Sequence, residues 1–472
     1  MFVKRFFEPS LAQASYMIGC QSAGEAVVID ANRDVDQYIA VAADEGLRIT
    51  HVTETHIHAD YVSGSRELAQ KTGASLELSD QGDRDWKYQF PHARTLKHGD
   101  RITIGNITLD VRHTPGHTPE HITFLVTDGA AADRPIAAVT GDFVFVGDVG
   151  RPDLLERAAN IKGTMEAGAR TLWKSLHAFA AQDDWLQIWP GHGAGSACGK
   201  GISAIPSSTL GYEKRFNWAF NVKSEDDFVT KVLAGQPEPP AYFARMKRIN
   251  KEGPAVLGQF HMPSRLDAGQ LPGLLARQAL VIDTRPAAEY AAGHLPGTLN
   301  IPFNSSFVTW AGWLVPAEEF YLIIDAATAG ARLGELARSL ALIGLDRISG
   351  YFDAAAATGT ATVRQIGTSE LGERLKDVTV VDVRSESEWA SGHIGGAVHV
   401  PLGYLAERAA ALPRERPIVV QCQSGARSSI AASVLERLGV ANVMNLSGGM
   451  SAWVAAGLPV EEGAHEQQAT RA

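Results

Sequence analysis

Short apolar runs rich in β-branched residues alternate with amphipathic stretches through the first half of the chain. "EAVVID" (Glu25–Asp30) and "ITHVTET" (Ile49–Thr55) read as strands, because branched side chains suit a pleated backbone. "DVDQYIAVAADEG" between them spaces its apolar residues by three and four, which predicts a helix. Several strands run into loops holding His, Asp and Gly, where α/β proteins commonly place their sites. Proline and glycine then crowd "AGQPEPPAYFARMKRINKEGP", which predicts a linker or strap over 241–262. The polar end "EEGAHEQQATRA" predicts a frayed tail over 464–472.

The second half repeats itself. "VIDTRPAAEYAAGHLPGTLNIP" matches "VVDVRSESEWASGHIGGAVHVP" without a gap, every pair offset by 99 positions. The pairs include Asp283 and Asp382, Arg285 and Arg384, Glu289 and Glu388, His294 and His393, and Pro302 and Pro401. Each copy reads as buried strand, short helix, glycine turn and further strands, so two like α/β domains are expected over 263–358 and 363–463. With a first domain over 1–240, three domains suit 472 residues, too many for one core.

Composition narrows the function classes. A net charge of −10 without a basic stripe argues against nucleic acid as partner. No apolar run approaches the ~18–20 residues that cross a bilayer, so no membrane partner is expected. "MFVKRFFEPS" lacks the apolar core of a secretory signal. Cys20, Cys198 and Cys422 are the only cysteines. So sparse a set fits a reducing cytoplasm, where a special thiol does chemistry rather than cross-linking. Cytoplasmic location and a homo-oligomer, dimer or tetramer, are the expectations.

Two constellations carry chemistry. In the first half they are His56, His58 and Asp60, then His113, His117 and His121 in "HTPGHTPEH", Asp142 in "TGD" and His192 in "PGHG". Imidazole and carboxylate on loops after strands are the usual ligands of catalytic zinc or iron. In the second half, "IVVQCQSGARSSIAASVLERLG" ends an apolar strand at Cys422, turns through four residues to Arg427 and enters a helix. Amides curled above a helix N-terminus favour an anion or a thiolate. "PGHGAGSACGKG" is no phosphate loop: Ala194 stands where its first glycine belongs, and Gly201 follows Lys200.

The first constellation resembles the metallo-β-lactamase fold, an αββα sandwich. Tyr61 departs from the family pattern by replacing a histidine of its second metal position. Tyrosine is neutral at pH 7 and a poor substitute for imidazole, which favours a single metal. The motifs further resemble the persulfide dioxygenases. That resemblance implies one Fe(II) per chain, held by His56, His117 and Asp142, with His58, Asp60 and His192 around them. It implies thiol persulfide and O2 as substrates and sulfite as product. Arg151 in "GRPD" is a candidate substrate contact, or else an ion-pair partner of Asp153 or Asp148. His113 and His121 are read as turn or surface residues.

Both repeats resemble rhodanese domains. The resemblance implies sulfane-sulfur transfer among persulfide, sulfite and thiosulfate through Cys422. The amides of Gln423, Ser424, Gly425 and Ala426, with Arg427, would steady the sulfur anion. Asp382 and Arg384 read as a structural pair. The first copy aligns Gly330-Ala331-Arg332 with Gly425-Ala426-Arg427 and puts Ala326 or Ala327 at the cysteine position, so it is expected to be silent. The rival reading is a zinc thioester hydrolase of the glyoxalase II kind with regulatory rhodanese domains.

Overall fold

Strand β2 (Gln13–Cys20) is buried along its whole length, and its alternation explains the first half of the molecule. Tyr16, Ile18 and Cys20 point into a core shared with Ile102, Leu109, Phe124 and Val139. Met17 points the other way, among Val28, Tyr38 and Leu68. A sheet apolar on both faces must be covered on both. Here one face meets a second sheet, and the other meets helices α1 (Asp36–Asp44) and α2 (Ser65–Thr72).

The first sheet runs β1 (Phe2–Glu8), β2, β3 (Glu25–Ile29), β4 (Arg48–Thr53), β5 (Ser75–Ser79), β6 (Arg94–Leu96). It is antiparallel up to β3 and parallel beyond. The second sheet holds β7 (Arg101–Ile104), β8 (Ile107–His113), β9 (Ile122–Asp128), β10 (Ala137–Gly141), β11 (Gln187–Pro190) and β12 (Ser208–Thr209), neighbours in chain order. Its outer face carries α3 (Thr164–Phe179), whose Ala169, Leu172 and Leu176 pack with Leu125, Ala138 and Ile188. The layers are therefore αββα. The strands and helix expected from "EAVVID", "ITHVTET" and "DVDQYIAVAADEG" are β3, β4 and α1.

The structure is a computed structural model that describes residues 1–154, 156, 163–258, 260–316, 319–325, 329–330, 332–357, 359 and 361–463. The chain divides into two units, Met1–Phe260 with Arg338–Gly344, and His261–Ala337 with Leu345–Ala472. The stretch 241–262, expected as a linker or strap, contains a helix, Phe243–Glu252, within the first unit. Its buried Phe243, Met246 and Asn250 have helical spacing, which the flanking prolines concealed. The tail 464–472 lies outside the described residues. Among the described residues no helix is long and apolar enough to cross a membrane.

The second unit contains two parallel sheets. One runs β14 (Leu299–Asn300), β13 (Leu280–Asp283), β15 (Phe320–Ile324), β16 (Ile348–Asp353). The other runs β17 (Arg364–Ile366), β21 (Val443–Leu446), β20 (Ile418–Gln421), β18 (Thr379–Asp382), β19 (Val398–His399), the same order with one added edge strand. The repeat recurs in its side chains. Arg285 pairs with Asp283 at 2.6 Å as Arg384 pairs with Asp382 at 2.7 Å. His294 stacks on Tyr290 at 3.9 Å as His393 stacks on Trp389 at 3.6 Å. Register also aligns the cysteine position: Asp283 faces Ile323 and Asp382 faces Gln421, so Ile324 is the counterpart of Cys422. Ala326, Ala327 and Ala331 lie outside the described residues. The chain has no cysteine between Cys198 and Cys422, so this copy offers no sulfur acceptor.

Candidate functional site

Four loops that follow strands converge in the first unit. The loop after β4 carries His56, His58 and Asp60, and the β8–β9 connection carries His117. β10 delivers Asp142, and β11 delivers His192. His117 Nε2 stands 3.6 Å and His56 Nε2 4.0 Å from Asp142 Oδ2, with all three residues buried. His117 Nδ1 donates to the Arg151 carbonyl at 2.9 Å, which leaves its Nε2 lone pair facing the carboxylate. Burial, followed by the neighbouring imidazoles, pushes His56 well below the ordinary histidine range, and burial lowers His117. Both rings are thus held neutral, the form that binds a metal. Neither oxygen of Asp142 has a hydrogen-bond partner, although both are buried. Acceptors converging without a donor form a set that a cation satisfies, and the residues fit a metal.

Residues absent from the motif hold this set in place. Asp30, at the end of β3, adopts φ +58°, an uncommon left-handed conformation for a residue with a side chain. Its carboxylate accepts the Thr55 amide at 2.7 Å, the Thr55 hydroxyl at 2.9 Å and His58 Nε2 at 3.1 Å. Thr55 Oγ1 in turn lies 2.9 Å from His56 Nδ1. Glu120 accepts the Ile57 amide at 2.8 Å. Asn250, from the helix expected as a strap, donates to the carbonyls of His58 and Tyr61 at 2.8 and 2.7 Å and accepts the Ser63 amide at 2.9 Å. The sequence signal for Asp30 was its place closing "EAVVID". Asn250 had none.

Other residues depart from expectation. His58 turns to Asp30; burial opposes its charge, but Asp30, Glu54 and Asp60 outweigh that and raise it to about 9. Its ring lies tilted against that of His56, with the centroids 4.2 Å apart. His121 is fully buried rather than a turn or surface residue. Its Nδ1 meets Thr114 at 2.9 Å, and its Nε2 accepts the Asp142 backbone amide at 3.2 Å, so it fixes the main chain that carries that carboxylate. His113 keeps a turn role, bound to the Pro119 carbonyl at 2.8 Å. Arg151 is fully buried, with two donors on Asp153 at 2.8 Å each and a third on the Ala197 carbonyl at 2.9 Å. It is the ion-pair partner and not an open substrate contact. Tyr61 donates to the Asp30 carbonyl at 3.1 Å. Asp60 and His192 lie 3.3 Å apart beside the triad.

In the second unit, β20 ends at Gln421 and helix α4 (Ala426–Arg437) begins after the loop. Cys422 is buried, and the Gly425 amide and Ser428 hydroxyl donate to its sulfur at 3.1 and 3.4 Å. Gly425 makes the turn at φ +97°, where a side chain would be strained. Gln423 and Ser424 are exposed beside it. Arg427 is not free above the loop: it grips Glu388 through two bonds of 2.7 and 2.6 Å. A cavity of about 650 Å³ opens over the loop, lined by Ser424, Ala426 and Arg427 and, from the first repeat, by Phe303, Trp310 and Arg332. That copy is docked on α4 by Asn300 on Ser433 at 3.0 Å and His294 on Glu436 at 2.7 Å.

Burial works to raise the Glu388 carboxyl, but Arg427 and Ser385 overcome it and hold it at about 2 against an ordinary 4.5. A depressed carboxyl stabilises the fold above its unfolded value and loses that contribution as pH falls through the folded one. The urea midpoints of the native chain and Glu388→Gln are thus expected to differ by a constant amount above about pH 5 and to converge toward pH 2. Denaturation at stepped pH checks this; a difference that grows on acidification would refute it.

Comparison with known proteins agrees with both halves. A family model described as metallo-beta-lactamase superfamily matches residues 10–192, and one described as rhodanese-like domain matches 267–348 and 368–456. A probable metallo-hydrolase of Burkholderia pseudomallei (strain 1710b) is 32% identical over 178 residues, 32% of this chain and 60% of that protein. The chain thus spans less than two thirds of that relative. The mitochondrial persulfide dioxygenase of Bos taurus is 29% identical over 198 residues, 41% of this chain and 68% of that protein. A sulfurtransferase of Allochromatium vinosum is 39% identical over 101 residues, 21% of this chain and 94% of that protein. Among solved structures, a metallo-beta-lactamase from Staphylococcus aureus subsp. aureus COL is 45% identical, covering 75% of this chain and 99% of that one with a TM-score of 0.69.

Proposed function

The chain belongs to the metallo-β-lactamase superfamily and carries two rhodanese-like domains after that fold, and from this membership we propose that it oxidises a thiol persulfide and transfers sulfane sulfur. The observation that carries the first activity is the donor set His56, His117 and Asp142, two neutral imidazoles and a carboxylate with no other partner for its oxygens. Two imidazoles and a carboxylate would hold one Fe(II), which would supply the redox chemistry that joins dioxygen to a sulfur anion. Overall, a persulfide anion, dioxygen and water give thiol, sulfite and one proton.

The chain's own residues do the rest. His121 and the Thr55–Asp30 pair orient the ligands. His58 is held by Asp30 beside His56 and so packs against the ligand set. In the second unit Cys422 attacks the outer sulfur of thiosulfate. The S–S bond breaks, sulfite leaves with the electron pair, and Cys422 keeps a persulfide that an acceptor thiolate then takes. The Gly425 amide and Ser428 hydroxyl hold the sulfur for that attack.

Oxygen-electrode assays on the iron-loaded chain test this reading. Uptake with glutathione or coenzyme A persulfide, one sulfite formed per O2, is the expected result. Stoichiometric zinc in the chain as isolated, with no oxygen consumption, would instead support the thioester hydrolase.

A further inference from the structure

Among the described residues, the guanidinium groups around the thiol loop are matched by carboxylates. Arg427 holds Glu388 through two bonds, Arg384 holds Asp382 at 2.7 Å, and Arg332, across the cavity, meets Glu335 at 3.1 Å. The Cys422 sulfur is met by neutral donors, the Gly425 amide and the Ser428 hydroxyl. Glu388 is itself fastened: its Oε2 accepts the Ser385 amide at 3.1 Å and the Ser385 hydroxyl at 2.9 Å. Burial works against the Arg427 charge, and Glu388, followed by Cys422 and Asp382, outweighs it. This cation therefore lies within electrostatic reach of both the carboxylate and the sulfur. The pairing belongs to the thiol-bearing copy. In the first repeat Glu289 stands at the position matching Glu388, but Arg332 turns to Glu335.

Sulfur transfer to Cys422 brings like charges together. The thiolate forms a bond to the donor's outer sulfur, the donor's S–S bond breaks, and the leaving group departs with the electron pair. Thiosulfate brings two negative charges to that encounter and leaves as sulfite. An organic thiosulfonate brings one and leaves as a sulfinate, and a protonated organic persulfide brings none to the reacting sulfurs and leaves as a thiolate. A free arginine would offset the second charge of thiosulfate, and the ion pair withholds it. We propose that Glu388 is a charge filter: by holding Arg427 it biases Cys422 away from dianionic donors and toward organic persulfides and thiosulfonates. Discrimination here comes from a placed repulsive charge rather than from an added contact. The inference rests on Cys422 being the sulfur carrier and narrows that reading to a class of donor.

Thiosulfate and methanethiosulfonate test it, because they share a shape and a sulfane sulfur but differ by one charge. Each is supplied to the full chain at neutral pH, with cyanide taking the sulfur from Cys422 as thiocyanate. Glu388→Gln is expected to raise kcat/KM for thiosulfate relative to methanethiosulfonate by at least about fivefold. The ratio cancels differences in donor reactivity and in the fraction of chain folded. Arg427→Gln, which leaves Glu388 negative and unpaired, should move the ratio the other way. Ser385→Ala loosens Glu388 but keeps its charge, and should stay within about twofold of the native ratio. A ratio unmoved in Glu388→Gln, or moved as far by Ser385→Ala, overturns the proposal. If the carrier assignment fails instead, mass spectrometry finds no sulfur added to Cys422 of the native chain by either donor, and both readings fall. Sulfur added with an unmoved ratio sinks the filter alone.

Discussion

Asp142→Asn is expected to remove metal and oxygen consumption together, each by at least about a hundredfold, while leaving the metal-free protein as stable as the native chain or more so. The buried carboxylate faces three imidazoles, 3.6 Å from His117, 4.0 Å from His56 and 3.5 Å from His192. Asparagine keeps its shape and the amide that His121 accepts, but offers a cation no charge. Without metal, the native carboxylate bears an uncompensated desolvation cost, since neither oxygen has a donor. The side-chain amide of asparagine would instead donate to the facing imidazole lone pairs. Metal analysis, oxygen uptake and apo-protein denaturation together check the result. Loss of activity with full metal retention would remove Asp142 from the ligand set.

Cys422→Ser is expected to abolish transfer from thiosulfate, by a factor of about a thousand or more, and to leave oxygen uptake with an externally supplied persulfide intact. Serine fits the site, since the Gly425 amide and Ser428 hydroxyl bond oxygen as readily as sulfur, so folding is not at issue. It cannot carry sulfane sulfur, because the stable S–S link of a persulfide has no serine equivalent. Mass spectrometry of the thiosulfate-treated chain gives the direct readout: one added sulfur on the native protein and none on the variant. Transfer that survives would place sulfur carriage elsewhere, with Cys198 and Cys20 as the remaining thiols.

Much of the site was legible because its chemistry is spelled in short motifs. His56, His117 and Asp142 lie in three such motifs, and the fold brings those three together. The residues that hold them were not legible. Asp30 reads as an ordinary strand end until its carboxylate is seen under Thr55 and His58, and Asn250 sits within what reads as a proline-bounded strap. His121 was misassigned because spacing within "HTPGHTPEH" gives no direction to its ring. Arg151 was ambiguous because a guanidinium's partner depends on burial, and burial is set by the whole unit.

The amino-acid sequence alone determined the alternating strands and helices of the first half, the repeated α/β architecture of the second, the donor types and the absent cysteine of the first repeat, while the αββα layering was implied by the resemblance its motifs carry. Those depend on local alternation, on side-chain identity and on one constant offset. Tertiary structure alone decided which donors face one another, above all that Asp142 meets His56 and His117 while Tyr61 turns to the Asp30 carbonyl, and that Glu388 holds Arg427. Contacts between loops far apart in the chain follow from how sheets stack and where strands end, and local spacing carries no record of either.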